Sequence, residues 1–131
     1  KLPPSRPMRF VSSDGFGIWV GRSNRQNDEL TTKLAAKTDL WLHVQKIHGS
    51  HVILCTEDGA YDDESLHEAA LLAAYYSQAQ GGNNVPVDYT SVKYVKKPVG
   101  ARPGMVVYET YRTLYVTPDE ETIRRLDRKN K

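Results

Sequence analysis

Three histidines and a cysteine crowd into "WLHVQKIHGSHVILC", residues 41–55. His43, His48, His51 and Cys55 are ligand types that hold zinc. An alternating strand would put His43 on the same face as Trp41 and leave His48 in a turn, and the spacing matches no standard ligand pair. The competing reading is that these histidines are satisfied internally or touch a ligand other than a metal. Asp58, Asp62 and Asp63 in "EDGAYDDE" (57–64) offer hard oxygen donors, but the spacing misses the calcium-loop pattern, and a solvated helix start explains them. Ser50 and His51 are neighbours, and neighbours on a strand point to opposite faces, which argues against a nucleophile–base pair. Cys55 sits in an apolar run and reads as an inert thiol. The glycines of "GFGIWVG" have the wrong spacing for a dinucleotide fingerprint, and no GxSxG, HExxH or phosphate-binding loop is present. The expectation is a domain without catalysis, cofactor or metal.

Hydrogen-bond donors and cations are richer. "GRSNRQN" brings Arg22, Asn24, Arg25, Gln26 and Asn27 together, and Lys33 and Lys37 follow one helical turn apart. Lys93, Lys96, Lys97 and Arg102 form a second basic segment beside Tyr94. Arg112 lies between Tyr111 and Tyr115, in what reads as a hairpin turn. Cations and amides bond phosphate, sugar and base edges, and tyrosines stack on unpaired bases. The ordinary alternative is that Tyr packs well in sheets and Lys belongs on solvated strand faces. Net charge is only +2, yet no Lys or Arg occurs between Ile47 and Val92, a stretch with seven acids. The rest of the chain holds all 18 basic residues and nine acids, so a fold that separates the blocks would carry one basic face.

The elements that must position these groups follow from periodicity. "RFVSSDGFGIWVG" (9–21) reads as two short strands around an Asp14-Gly15 turn. Asn27 or Asp28 is a cap for a short helix with Leu30, Leu34 and Ala35 inward. In "DLWLHVQ" (39–45), Leu40, Leu42 and Val44 face one way and Trp41, His43 and Gln45 the other. "SHVILCT" (50–56) alternates too, and the short link predicts a hairpin. "DDESLHEAALLAAYYSQAQGG" (62–82) predicts a helix capped by Asp62 or Asp63, with Ser65 and Glu68 as a second capping box, Leu66, Ala69, Ala70, Ala73 and Tyr76 inward, and Gly81 at its end. One strand is predicted in 85–98 and two more in 100–118. Asp119 caps a last short helix, with "RRLDRKNK" fraying. The order ββ-α-ββ-α-βββ predicts an α+β fold, a single domain with a mostly antiparallel sheet of hairpins and two main helices.

A chain of 131 residues is enough for one core without staples. The lone cysteine excludes an internal disulfide. No apolar run reaches the roughly 20 residues that span a bilayer. "KLPPSRPMRF" lacks the apolar centre of a signal peptide and reads as a linker in a longer protein. The expected organisation is a linker at 1–7, the domain at 8–118, and a short helix with a basic tail at 119–131.

Three stretches are familiar in combination: "GFGIWVGRSNRQNDELTTKLAAKTDLWLHVQKIHGSHVIL", "EAALLAAYYS" and "VPVDYTSVKYVKKPVGARPGMVVYETYRTLYV". In order and spacing they resemble the NFACT-R domain, the C-terminal RNA-binding domain of RqcH-type bacterial ribosome quality control factors, whose older name is fibronectin/fibrinogen-binding protein. The resemblance covers residues 8–118. The family's Gly-Arg-x-Asn-x-Gln-Asn-Asp segment falls on Gly21 to Asp28, its Leu-Thr-x-Lys on Leu30 to Lys33, its Trp-Leu-His on Trp41 to His43, and its Lys-Pro…Gly-Ala-x-Pro-Gly on Lys97 to Gly104. His48 stands where the family has proline in Pro-Gly-Ser-His. The resemblance implies a cytoplasmic factor that binds the large ribosomal subunit and tRNA and helps add untemplated alanine tails to stalled chains, with other domains of the same protein as partners. It suggests that His43, Ser50 and His51 line an RNA-facing surface near Arg22, Asn24 and Lys33. The alternative is a purely structural hairpin. Two rival functions stay open, a surface adhesin for fibronectin or fibrinogen and a general DNA-binding module.

Overall fold

The computed structural model describes residues 6–129. Six strands form one antiparallel sheet: β1 (Met8–Val11), β2 (Gly17–Val20), β3 (Leu40–Val44), β4 (Val52–Leu54), β5 (Val85–Ser91) and β6 (Arg112–Val116), in spatial order β1-β2-β4-β3-β5-β6. The helices are α1 (Asn24–Glu29), α2 (Asp63–Tyr75) and α3 (Glu120–Lys129). This is the expected α+β architecture. The pleat sorts side chains as the alternation implied. Ile18 pairs with Leu54 and Leu54 with Leu40, while one residue along Trp19 pairs with Ile53 and Ile53 with Trp41.

The first face is the main core. Ile18, Val20, Leu40, Leu42, Val44, Val52, Leu54, Val85, Val87 and Val116 meet Leu66, Ala69, Ala70 and Ala73 of α2. Alanines let the helix axis approach the sheet closely. Asp62 caps α2 by accepting from the Ser65 amide at 3.2 Å, and Asp63 and Glu64 in the first turn complement the helix dipole. Ser65 and Glu68 do not form a capping box. The Ser65 hydroxyl bonds that of Ser12 at 2.7 Å, and buried Glu68 accepts from the Ser13 amide and hydroxyl. Arg125 of α3 reaches both Glu68 and Ser13, so one carboxylate joins the β1–β2 loop to two helices.

The second face carries a smaller core: Leu30, Trp41, Ile53 and Val92, ringed by Trp19, Ala35, Val95, Val106 and Tyr108. α1 continues into a π-helical turn (Leu30–Leu34), closed by the Ala35 amide donating to the Leu30 carbonyl at 2.9 Å. The chain from Val92 to Tyr111 lies over the same face.

Several expectations are corrected. The β1–β2 turn is not the two-residue type: Val11 pairs with Gly17, leaving five residues between them, with Gly15 at φ +91°. Ser23, not Asn27 or Asp28, caps the first helix, accepting from the Gln26 amide at 3.2 Å. α2 stops at Tyr75 instead of running to Gly81. There Ser50 N–H donates to the Tyr76 carbonyl and Gln78 N–H to the His48 carbonyl, so the β3–β4 link takes the groups that a longer helix would use. Residues 100–111 form no strand, so the last group has two strands rather than three. Pro98, Pro103, and Gly100 and Gly104 at φ +80° and +83° break the extended run, which keeps only a bridge between Lys96 and Val107. The C-terminal segment does not fray where described: α3 runs to Lys129, and Ile123 and Leu126 join the main core. The linker expectation for residues 1–5 and the tail at 130–131 lie outside the described residues.

Candidate nucleic-acid interface

Six of the seven acids of the unbasic stretch and seven of the cations lie in separate layers, while Asp88 is buried in the sheet and Arg112, Arg124 and Arg125 stay on the side of α2. Glu57 to Glu68 lie before and within α2, which covers the first face. Arg25, Lys33 and Lys37 belong to the α1 layer on the second face, and Lys93, Lys96, Lys97 and Arg102 to the chain that packs beside it. All seven are exposed, with the Lys97 side chain the most held, at 30% exposed beside Asp28. The two basic segments are tied together: the Lys93 amide donates to the Lys37 carbonyl at 3.2 Å, and Lys97 pairs with Asp28 of α1 at 2.8 Å. Asp28 also accepts from the Gly104 amide at 3.1 Å. Burial opposes its ionisation, but the Lys97 hydrogen bond, the Gly104 amide and the Lys97 charge together hold its carboxyl below the usual range.

His51 is the knot of this layer. It is 3% exposed. The Trp41 indole N–H, which can only donate, lies 3.1 Å from His51 Nδ1, so Nδ1 accepts and the proton of the neutral ring sits on Nε2. Nε2–H then donates to the Gly104 carbonyl at 3.1 Å, and the Thr31 hydroxyl donates to Nδ1 at 2.8 Å. The His51 amide donates to Asn27 Oδ1 at 3.0 Å. Burial and then the neighbouring His43 push the imidazole down to about 3, although the Gly104 carbonyl pulls the other way. His51 is therefore a neutral joint between strand, helix and the 97–104 segment. The expectation that it faces RNA is corrected, because both ring nitrogens are used inside the fold.

Gln26 and Asn27 are corrected for the same reason. Both are buried; Gln26 Oε1 accepts from the Arg22 amide at 2.8 Å, and Asn27 holds His51. Gly21 shows why the motif is tight: a Cβ there would come within 2.0 Å of Asn27 Oδ1. The Ser50 hydroxyl is also turned inward, donating to the Gly21 carbonyl at 2.6 Å. His43 is half-buried, its ring stacked on Trp41 with centroids 5.7 Å apart, and burial lowers its pKa. Among the described residues, no three His, Cys, Asp or Glu side chains converge on a point that could hold a metal. Cys55 is half-buried, and burial and then Asp39 raise its thiol pKa, which fits an inert thiol.

Arg112 is displaced from its sequence neighbours. It opens β6 rather than sitting in a turn, pairs with Tyr89, and so shares the first face with Leu114, while Tyr111 and Tyr115 fall on the other parity.

Arg22 and Asn24 join a different feature. They border a cleft of about 660 Å³ with His48, Tyr75, Tyr76, Gln78 and Gln80. Exposed His48 thus lies at the cleft, and none of the four residues after the α2 alanine run was singled out as a site residue, Tyr76 being expected only on the inward stripe of the helix. Their signal was faint: two tyrosines and two glutamines where the helix was expected to continue. The cleft brings together a guanidinium, amides and aromatic rings, the mixture that holds phosphate and base edges.

Comparison with known proteins finds relatives over most of the chain. The family model described as NFACT protein RNA binding domain covers residues 6–109. The protein named Rqc2 homolog RqcH from Bacillus subtilis is 45% identical over 128 residues, covering 96% of this chain and 22% of that protein. Its Streptococcus suis namesake is 46% identical over 120 residues, 91% of this chain and 22% of that protein. The chain thus spans about a fifth of the length of these relatives. Coiled-coil domain-containing protein 25 from Bos taurus is 26% identical over 121 residues, 88% of this chain and 58% of that protein. The solved C-terminal part of the fibronectin/fibrinogen-binding protein from Streptococcus suis superimposes with a TM-score of 0.90 at 44% identity, covering 95% of this chain and 50% of that one. With residues 6–109 matched by the family model, the chain belongs to the NFACT protein RNA binding domain family.

Proposed function

We propose that this chain is the RNA-binding module of a ribosome-associated quality control factor. In that role it engages the large ribosomal subunit and tRNA, in the cytoplasm, while untemplated alanine is added to stalled nascent chains. The domain binds and positions, and the peptide bond is made by the ribosome. The observation that carries the reading is a basic layer: cations of two distant segments meet opposite the acidic start of α2. Such a surface attracts a polyanion and orients it before any specific contact forms. The names of the relatives support the ribosomal setting.

The test is an anisotropy titration with labelled tRNA over a salt series, using the wild-type chain and the triple variant Lys33→Ala, Lys93→Ala, Lys96→Ala. Log affinity should fall linearly with log salt, and the triple variant should lower that slope by roughly 0.7–0.9 for each phosphate contact removed. A salt-independent affinity, or an unchanged slope in a folded triple variant, would sink the assignment.

A second reading has one observation in its favour, since the similar solved structure is of a fibronectin/fibrinogen-binding protein. A fibronectin fragment and a duplex DNA run in parallel separate these alternatives. Tight, salt-insensitive fibronectin binding without tRNA binding would favour the adhesin.

A further inference from the structure

Apolar side chains that reach solvent are unevenly placed. Tyr94, Val99, Met105, Val107, Tyr111 and Tyr115 are all among the exposed large hydrophobics, and all lie in 94–115. The small core explains why. Leu30, Val92 and their neighbours cover Trp41 and Ile53, in the β3–β4 part of the second face, and Tyr108 closes over Asp88 of β5, while the outer edge at β6 is left open around Tyr115. Tyr115, 65% exposed, stands there opposite Pro86 and on the same side as Thr113. Tyr111, 46% exposed, meets the Tyr108 ring edge-on at 5.1 Å.

The floor beneath these rings is rigid. Asp88 accepts from Gln45 Nε2 at 2.9 Å, the Tyr108 hydroxyl at 2.6 Å and the Thr113 hydroxyl at 2.7 Å. Tyr108 packs on Trp41 at 4.7 Å, and burial followed by the Asp88 hydrogen bond raises its pKa, so it stays a neutral donor. The buried acid is thus saturated by donors. Cations edge the area. Exposed Lys46 borders a hollow of about 220 Å³ with Trp41, His43, Met105 and Tyr108. Lys93 Nζ lies 5.2 Å from the Tyr94 ring centre, and Lys96 and Glu109 share a second hollow with Tyr94 and Tyr108.

We infer that the exposed β6 edge of the second face, with the 108–111 segment beside it, is a stacking platform for unpaired RNA bases, with Tyr111 and Tyr115 as the stacking rings. Four residues of extended chain span about 13 Å, so the rings take separate bases of one strand rather than clamping a single base. The strand's phosphates lie toward Lys46, Lys93 and Lys96. Nucleobases offer a flat apolar face and phosphates offer the charge, which fits rings bordered by lysines. A duplex keeps its bases stacked inside and offers nothing to these rings. The inference rests on the RNA-binding reading but uses a surface apart from the Arg22 cleft, and it leaves Arg112, on the opposite face, without a part.

The experiment compares a labelled single-stranded RNA 12-mer with an RNA duplex of equal length. The proteins are the wild-type chain and Tyr111→Ala, Tyr115→Ala and Tyr115→Phe, each with a thermal melt to show that it folds. The expected result is a loss of about five-fold or more in single-strand affinity for each alanine variant. Duplex affinity should be unchanged, and Tyr115→Phe should bind like wild type. Alanine variants that bind the single strand as wild type does would overturn the platform while leaving the RNA module standing. A wild-type chain that binds neither RNA would overturn both. Alanine variants that lose a fibronectin fragment and keep the single strand would reassign the patch to a protein and overturn the inference.

Discussion

Acidification should weaken this fold through His51, by an amount that follows from its burial. The folded imidazole sits at about 3, against an ordinary value of 6.5. Its folded pKa lies below its unfolded one, so between those values the unfolded chain binds the extra proton. Stability from this group is therefore complete above pH 6.5 and is lost as pH falls toward 3. The slope is about 1.4 kcal/mol per pH unit, so a fall from pH 6.5 to pH 5 should cost about 2 kcal/mol from His51 alone. The geometry gives the reason: a proton on Nδ1 would point at the Trp41 indole N–H, which has no other use for its hydrogen in that position. The assay is urea unfolding at pH 7, 6 and 5, followed by tryptophan fluorescence, for wild type and His51→Gln. Glutamine can offer one acceptor and one donor in the same space and does not titrate. His51→Gln should be less stable at pH 7 but lose about 2 kcal/mol less than wild type on acidification to pH 5. Equal losses in the two proteins would refute the view that His51 is held neutral as a joint.

Gly104→Ala should destabilise by about 1–3 kcal/mol, from the strained backbone and a close contact; Gly104 is at φ +83°, and a Cβ would lie 3.2 Å from the Asn24 carbonyl oxygen. Faster amide exchange confined to 97–107, read by hydrogen–deuterium exchange, would locate the effect, and an unchanged melt would contradict it. Leu126→Ala should cost about 2–5 kcal/mol in urea unfolding, as expected of a buried leucine. A loss below about 0.5 kcal/mol would mean that α3 contributes no core.

The sequence was most legible where one physical rule dominated. Alternation in 39–45 and 50–56 assigned both faces of β3 and β4, because each face meets a different layer and no residue is ambiguous. The alanine-rich helix was equally plain, but its end was not. The groups that stop it belong to Ser50 and His48, 26 and 30 residues before their partners Tyr76 and Gln78. "MVVYETY" has strong strand propensity, yet Val106 is drawn to the small core and the Tyr108 hydroxyl to Asp88, so tertiary contacts override the local preference. At the candidate site, composition identified a donor-rich region. It could not separate donors that build the loop from donors that face outward. Gln26, Asn27 and His51 look like Arg25 and Lys33 in a string, and only the approach of Gly21 and Trp41 turns the first three inward. Arg112 illustrates parity: one residue's shift along β6 exchanges faces.

The two cores also differ in what holds them. Beneath α2 and α3, twenty buried apolar residues share the load; on the other face, four do. That thinner layer depends instead on a few directional bonds at Asp28, His51 and Asp88. Hydrophobic burial tolerates sliding, whereas hydrogen bonds are either made or lost, so this layer should behave as a separate cooperative unit with a low opening energy and a sharply defined closed geometry. A ligand that grips Lys97, the 97–104 segment or the α1 loop therefore acts on the part of the molecule whose order is cheapest to change, while the scaffold behind it stays folded.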